Sequence, residues 1–223
     1  MKKLLVLSIT VLLVLSFASS SFASIFEHRT TLGYMHLTLD DLNSTISPAS
    51  PTPMNYAYTD STNLLGISKV PNLCVGFKTA TGFWMETNGS NPQQTIILTS
   101  AVSAVAEYTF SLSKNFLIGA GVNAGVNTMS LILRKIPGTT VFGDLVTTDR
   151  NYASLWRPYV QLGAYLTLTY KIGYIFNINL SAGYNYNIAI APWLDIFKPI
   201  DGSKDIQKNF NAFFVNIGVG LTF

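Results

Sequence analysis

Residues 174–190 read YIFNINLSAGYNYNIAI, and in this stretch apolar side chains alternate with Asn, Ser and Gly. A period of two predicts a β-strand, because successive side chains of a strand point to opposite faces of its sheet. The 17 residues of this stretch are about three times the usual length of a strand in a globular protein. A tilted strand that crosses a membrane needs at least about 9–11 residues. The stretch therefore predicts a membrane-spanning strand.

The same alternation continues through most of the chain. It predicts four further strands, over 95–110, 116–127, 156–170 and 213–223, and three less regular ones, over 25–39, 63–70 and 73–85. In the first of these, we expect Met35, Leu37 and Leu39 to face lipid, although Leu32 and Tyr34 favour the opposite orientation.

The connections between the predicted strands alternate between long and short. The long ones are 40–62, 87–93, 134–151 and 191–208, and the short turns lie near 71, 113 and 172. Outer-membrane barrels have this topology, with long external loops and short periplasmic turns. We therefore predict an all-β fold, an eight-stranded antiparallel up-and-down transmembrane barrel. The alternative is a secreted soluble barrel with an apolar cavity, in which the face rich in Asn and Ser would meet water.

The first 23 residues predict export. Lys2 and Lys3 precede an apolar run over 4–17, and small residues follow up to Ala23. This is the pattern of a signal peptide at 1–23, cleaved after Ala23 and followed by a barrel domain at 24–223. A retained membrane anchor is the alternative, but the run is shorter than the about 20 residues of a spanning helix. Without Lys2 and Lys3 the net charge falls from +3 to +1, so nothing indicates a nucleic-acid partner.

The end of the chain carries a family resemblance. Residues 216–223, NIGVGLTF, form an alternating apolar strand that ends in Phe223. With the signal peptide and the hairpin count, this segment resembles the small eight-stranded outer-membrane barrels, the group of OmpA transmembrane domains, OmpX, OmpW and the opacity proteins. The resemblance implies a location in the bacterial outer membrane, contact with its lipid, and recognition of the C-terminal strand by the barrel assembly machinery, with Phe223 as the assembly signal.

The inward face of the predicted barrel is polar. Lys78 and Glu107 lie on neighbouring strands at similar heights above their turns, so we predict that they form an ion pair in the lumen. The other side chains predicted to line the lumen are polar or basic: Asn123, Asn127, Arg157, Gln161, Asn177, Asn179, Asn185 and Asn216. An eight-stranded barrel is just wide enough for its interior to be filled by side chains or to hold one small ligand.

Two function classes remain open from the sequence. An OmpW-like protein would pass or bind a small apolar solute in a narrow lumen. An OmpX-like or opacity-like protein would instead act in adhesion through its external loops. A purely structural role in the membrane is the third, less favoured alternative. The loop 191–208 carries an unusual apolar cluster, namely Trp193, Leu194, Ile196 and Phe197. We expect no enzyme and no catalytic residue, because no Ser follows His28 or His36 at close spacing. We also expect no cofactor and no metal site, because Glu27 and His28 lack further ligands at suitable spacing.

Overall fold

A computed structural model describes residues 26–45, 54–67, 70, 72–88, 93–134, 140–141, 146–147, 152–195, 198–200 and 202–223. Its eight long strands are β1 (Phe26–Leu37), β2 (Met54–Gly66), β3 (Leu73–Asn88), β4 (Gln93–Ser111), β5 (Phe116–Arg134), β6 (Tyr152–Ile172), β7 (Phe176–Ala189) and β8 (Asn209–Thr222). Each strand pairs antiparallel with its neighbours along the chain, and β1 pairs with β8. The predicted eight-stranded barrel is thus confirmed. The predicted signal peptide lies outside the described residues.

The strands turn back at two ends of the barrel. At the turn end lie the connections 67–72, 112–115 and 173–175, together with Phe26 and Phe223. Gly173 has a φ of 70°, a conformation that glycine adopts without strain, and it starts the turn that shortens the predicted 174–190 strand to β7.

At the loop end, three connections carry short elements of their own. These are α1 (Asp40–Thr45), the 3₁₀ turn Ser203–Asp205, and the two-residue strand pairs 140–141 with 146–147 and 194–195 with 198–199. No helix among the described residues is long and apolar enough to cross a membrane.

Two predicted connections were wrong. The connection between β3 and β4 spans only 89–92, so it is no longer than the turn 67–72, and the alternation of long and short connections has this exception. The second strand begins at Met54 rather than near 63. Residues 54–62 read MNYAYTDST, whose Asn, Thr, Asp and Ser suggest a loop by composition.

The orientation predicted for the first strand was also wrong. Met35 and Leu37 are buried, whereas Leu32 and Tyr34 are exposed, so odd-numbered residues of β1 face inward. Arg29 shares that parity and is buried in the lumen. Charge is costly against lipid, so the position of Arg29 in the sequence already contained the signal that fixes this strand.

The outward face of the barrel is mostly apolar. Over 160–170 of β6, 178–188 of β7 and 213–219 of β8, every exposed side chain is aliphatic or aromatic. The large ones are Val160, Leu162, Leu166, Leu168, Tyr170, Ile178, Leu180, Tyr184, Tyr186, Ile188, Phe213, Val215, Ile217 and Val219. A soluble barrel would need a polar face towards water. The outward face instead matches the hydrocarbon region of a membrane.

Candidate functional site

Side chains fill the barrel interior in successive layers, from the turn end to the loop end. In the layer nearest the turn end, Arg29 lies between two carboxylates. Its Nη1 and Nη2 donate to Glu107 at 2.8 Å each, and its Nε and Nη2 donate to Glu27 at 2.8 and 2.9 Å. Arg29 and Glu107 are both buried. This geometry is a bidentate ion pair, the arrangement that holds a buried charge most firmly.

Two inward glycines make room for this layer. A Cβ at Gly119 would lie 2.6 Å from Oε1 of Glu107, and a Cβ at Gly121 would lie 2.3 Å from the ring of Tyr165. Both distances are shorter than real Cβ contacts. A side chain at either position would therefore force Glu107 or Tyr165 to move.

The predicted ion pair between Lys78 and Glu107 was wrong. Lys78 pairs with Asp60, its Nζ lying 2.9 Å from Oδ2, and both residues are buried. In the β3–β4 ladder Lys78 is opposite Ser103, whereas Glu107 is opposite Cys74. Ser103 and Glu107 are four positions apart, so the backbones of Lys78 and Glu107 are offset by about 13 Å along the strands.

Aromatic rings surround the Lys78 ammonium in the middle of the barrel. Nζ lies 4.5 Å from the ring centre of Phe214, 5.4 Å from that of Tyr165 and 5.8 Å from that of Tyr58. Asp60 also accepts a hydrogen bond of 2.6 Å from Nδ2 of Asn216. The charge of Lys78 is thus balanced by one carboxylate and by ring faces within the distance at which they attract a cation.

The next layer is a network of side-chain amides. Asn127 donates to Gln161 at 3.3 Å and to Asn187 at 2.9 Å, and Gln161 donates to Asn123 at 3.1 Å. Asn123 in turn donates to Asn185 at 3.2 Å. Each of these amides is buried, and together they link the neighbouring strands β5, β6 and β7 on one side of the inner wall.

All of the predicted lumen-lining residues are buried on the inward face. Asn177 and Asn179 belong to the layers near the turn end, where Asn177 donates to Glu27 at 3.1 Å and Asn179 accepts from Thr169 at 2.7 Å. Sequence reasoning missed Arg29 and Asp60 as lumen charges. Asp60 lay in a segment predicted as loop, and the inward parity of Arg29 was overlooked.

The loop end of the interior is apolar, which the sequence analysis did not predict. A cluster of buried side chains closes it, formed mainly by Met35, Leu37, Leu39, Leu42, Tyr56, Ile97, Met129, Leu131, Leu155, Tyr159 and Phe210. Several of these residues follow the inward parity of their strands. The alternation thus continues towards the loops, but there both faces are apolar, so the inward side is not distinguished by polarity.

Arg157 fixes the last loop over this apolar cluster. Its guanidinium donates to four backbone carbonyl oxygens: Ala191 at 2.7 Å, Lys204 at 2.8 Å, Gln207 at 3.3 Å, and Ile206. Arg157 itself is buried. We call the described residues of this segment, 190–195, 198–200 and 202–208, the lid, because these contacts hold them across the mouth of the barrel.

Trp193 and Gln207 complete the closure. Trp193, from the predicted loop cluster, is fully buried and donates through Nε1 to the carbonyl of Ile206 at 3.1 Å. Gln207 accepts from the amide of Leu42 at 3.0 Å and donates to the carbonyl of Thr38 at 3.3 Å. The lid is therefore joined to the connection that follows β1. Of the other cluster residues, Leu194 is partly buried, and Ile196 and Phe197 lie outside the described residues.

One ion pair of the lid is on the surface. Nζ of Lys208 lies 2.7 Å from Oδ1 of Asp205, and both side chains are largely exposed. The hydrogen bond from Lys208, and after it the positive charge of that residue, lowers the pKa of Asp205 below its ordinary value. Such an exposed pair contributes little to stability.

The remaining predicted residues have structural partners. Phe223 is exposed, stacks on Phe26 at 6.4 Å between ring centres, and exchanges two backbone hydrogen bonds with it. His28 contacts Asn63 at 2.9 Å and Thr30 at 3.2 Å. Among the described residues, no group of three or more His, Cys, Asp or Glu could hold a metal ion.

Comparison with known proteins gives the fold. No family model and no curated protein matches the chain. A major outer membrane protein from Thermus thermophilus aligns with a TM-score of 0.55 and 11% identity over 91% of this chain and 100% of its own.

Two further solved structures are similar. Neisserial surface protein A aligns with a TM-score of 0.52 and 13% identity, covering 89% of this chain and 97% of its own. Ail, the attachment invasion locus protein of Yersinia pestis, in complex with the heparin analogue sucrose octasulfate, aligns with a TM-score of 0.52 and 10% identity, covering 91% and 100%. This chain therefore has the fold of the small bacterial outer-membrane β-barrels, and its apolar outward face fits that environment.

Proposed function

We propose that this protein is a bacterial outer-membrane barrel that presents its loop end for binding at the cell surface, rather than a conduit for solutes. The observation that carries this proposal is the filled interior. Ion pairs, an amide network and an apolar cluster follow one another from the turn end to the loop end. Among the described residues, these buried side chains support an interior that is filled rather than open, one of the two states expected of an eight-stranded barrel.

The lid supports the same reading. A channel needs an open mouth, whereas here Arg157 and Trp193 hold the lid against the buried apolar cluster through several hydrogen bonds. A lid fixed in this way also gives the outer surface a defined shape. A loop that is ordered before binding loses less conformational entropy when a partner binds.

The charge of the loop end favours one kind of partner over another. The four connections 38–53, 89–92, 135–151 and 190–208 contain five Lys or Arg and seven Asp, a net charge of −2. The Ail structure holds a heparin analogue, but a net negative surface does not attract a sulfated polyanion. We therefore propose a protein surface as the partner.

Two measurements test this proposal. The refolded protein in planar lipid bilayers should give no discrete current steps, because the lumen is filled. A non-adherent bacterium that displays the protein should attach to cultured epithelial cells, and replacing 135–151 by a short Gly-Ser turn should reduce attachment several-fold. Lys114→Ser with Tyr174→Ser at the turn end is the matched control and should leave attachment unchanged. Steady conductance by the wild-type protein, or attachment that is insensitive to the loop, would contradict the proposal.

A further inference from the structure

One part of the outward face is not apolar. On β1 to β4, six outward Ser and Thr side chains are neighbours: Thr30, Thr59, Ser61, Thr79, Thr81 and Ser100. All are exposed except Ser61, which is half-buried. We call these six residues the hydroxyl patch. It is distinct from the lumen, the lid and the loop end.

Strand register makes the hydroxyl patch continuous. Ser61 is opposite Thr30 on one side and opposite Thr79 on the other. Two residues nearer the loop end on β3, Thr81 is opposite Thr59 of β2 on one side and opposite Ser100 of β4 on the other. Side chains in directly opposite positions lie about 5 Å apart. The six residues therefore form two adjacent rows rather than scattered single positions.

The hydroxyl patch lies within the apolar belt and not beyond it. On β3, Val75 and Phe77 face outward on the turn side of Thr79, and Phe83 and Met85 are exposed on the loop side of Thr81. A boundary with water would have apolar residues on one side only. The patch is thus bordered by lipid-type side chains at both ends of the strand.

The opposite wall of the barrel serves as an internal comparison. The outward pairs there are Leu168 with Leu180, and Leu180 with Ile217, in the ladders of β6, β7 and β8. Over 160–170 of β6, 176–188 of β7 and 213–219 of β8, no exposed side chain is a Ser or Thr. The polarity of the β1–β4 face is therefore a local property and does not reflect the composition of the whole outward surface.

Only part of the hydroxyl patch is satisfied within the barrel. Thr59 donates to the carbonyl of Thr31 at 2.8 Å, and Thr30 contacts His28 at 3.2 Å. Within the part of the chain that the structure describes, the hydroxyls of Ser61, Thr79, Thr81 and Ser100 make no side-chain hydrogen bond. Lipid tails offer no hydrogen-bond partner, so these four groups are unpaired towards hydrocarbon.

We propose that the hydroxyl patch is the surface on which a second copy of this barrel docks within the membrane. A hydroxyl both donates and accepts a hydrogen bond, so a patch of hydroxyls is complementary to itself. A twofold pair brings the same patch of each copy together. Small polar side chains also allow close approach of two membrane segments. The patch carries no charge, so it does not call for a partner of opposite charge.

Cysteine cross-linking in purified vesicles tests the docking surface. Thr79→Cys, Thr81→Cys and Ser61→Cys are each made in a Cys74→Ser background, with Leu180→Cys on β7 of the opposite wall as the matched control. At a high ratio of phospholipid to protein, oxidation should give at least one patch variant a dimer yield several-fold above that of the control. Equal yields for all four variants would overturn the proposal, because random collision does not distinguish the two walls.

A second measurement isolates the hydroxyl groups. Copies labelled at Lys204→Cys with donor or acceptor dyes, also with Cys74→Ser, should transfer energy in vesicles. The triple variant Ser61→Ala, Thr79→Val, Thr81→Val should reduce that transfer several-fold while keeping heat-modifiable migration, which reports the folded barrel. Transfer that the triple variant leaves unchanged, or no transfer in the parent protein, would overturn the proposal.

Discussion

Arg29 is the residue whose loss should most disturb the interior near the turn end. Removing a partner from a buried ion pair typically costs about 3–5 kcal/mol, because the remaining charge is left without compensation. Arg29→Met leaves two carboxylates, Glu27 and Glu107, without their cation. Glu107→Gln leaves Arg29 still paired with Glu27 at 2.8 and 2.9 Å. We therefore expect a larger loss of unfolding free energy in Arg29→Met, measured by urea unfolding of the protein refolded in vesicles.

A double-mutant cycle distinguishes the observed pairs from the one predicted from sequence. Arg29→Met with Glu107→Gln should recover part of the loss, because both interacting charges are gone. Lys78→Met with Glu107→Gln should instead be additive within about 0.5 kcal/mol, as for residues that do not touch. Coupling in the second cycle, with none in the first, would contradict the assignment of Lys78 to Asp60.

For single residues, the sequence predicts whether a side chain faces inward or outward, but it does not predict which residue that side chain pairs with. The alternation placed Lys78, Glu107 and the lumen amides inward, where the structure has them. An ion pair depends further on the register between strands and on every other charge in the lumen. Counting residues from the nearest turn overlooks the register, and Asp60 was absent from the predicted set because its segment has the composition of a loop.

At the scale of single elements, the lid depends on one side chain, because Arg157 donates hydrogen bonds to four of its backbone carbonyl oxygens. Arg157→Gln should release it, since glutamine cannot replace a guanidinium that donates to four carbonyl oxygens. When trypsin is added to intact cells that display this variant, we expect it to cleave the protein after Lys204 and Lys208 several-fold faster than it cleaves the wild type. Asp205→Asn is the matched control in the same lid, because it removes only the exposed pair with Lys208. Equal acceleration in both variants would show that Arg157 does not fix the lid.

Regular strands were easier to predict than the elements beside them. In the middle of β5 to β8, apolar outward residues alternate with inward ones that are mostly Gly, Asn, Gln, Ser or Thr, so period and polarity largely agree. In β2 the outward side carries Thr59 and Ser61 and the inward side carries Tyr58 and Asp60, so polarity no longer separates the faces. The lid could not be predicted because long-range contacts fix it, namely those of Arg157 with the lid backbone and those of Gln207 in the lid with Thr38 and Leu42, and no local pattern records them.

For the whole molecule, the seam between β1 and β8 decides whether the barrel is closed. That seam ends at Phe223, which exchanges backbone hydrogen bonds with Phe26 at 2.9 and 3.1 Å. A closed barrel leaves no strand edge unpaired and resists detergent until boiled. Unboiled wild-type protein should therefore migrate differently from boiled protein on a gel.

Deletion of Phe223 separates closure from assembly in the cell. All eleven ladder pairs, from Glu27 with Thr222 to Leu37 with Ala212, remain without it, so refolding in detergent should still give the heat-modifiable form. In cells, the truncated protein should reach the outer membrane at a several-fold lower level, because the resemblance of 216–223 to the assembly signal rests on a terminal Phe. Phe223→Tyr is the matched control, since it keeps the aromatic ring and the stacking on Phe26, and it should assemble better than the deletion. Normal membrane levels of the deletion variant would refute the role of Phe223 as an assembly signal, and failure to refold in detergent would place its role in the seam itself.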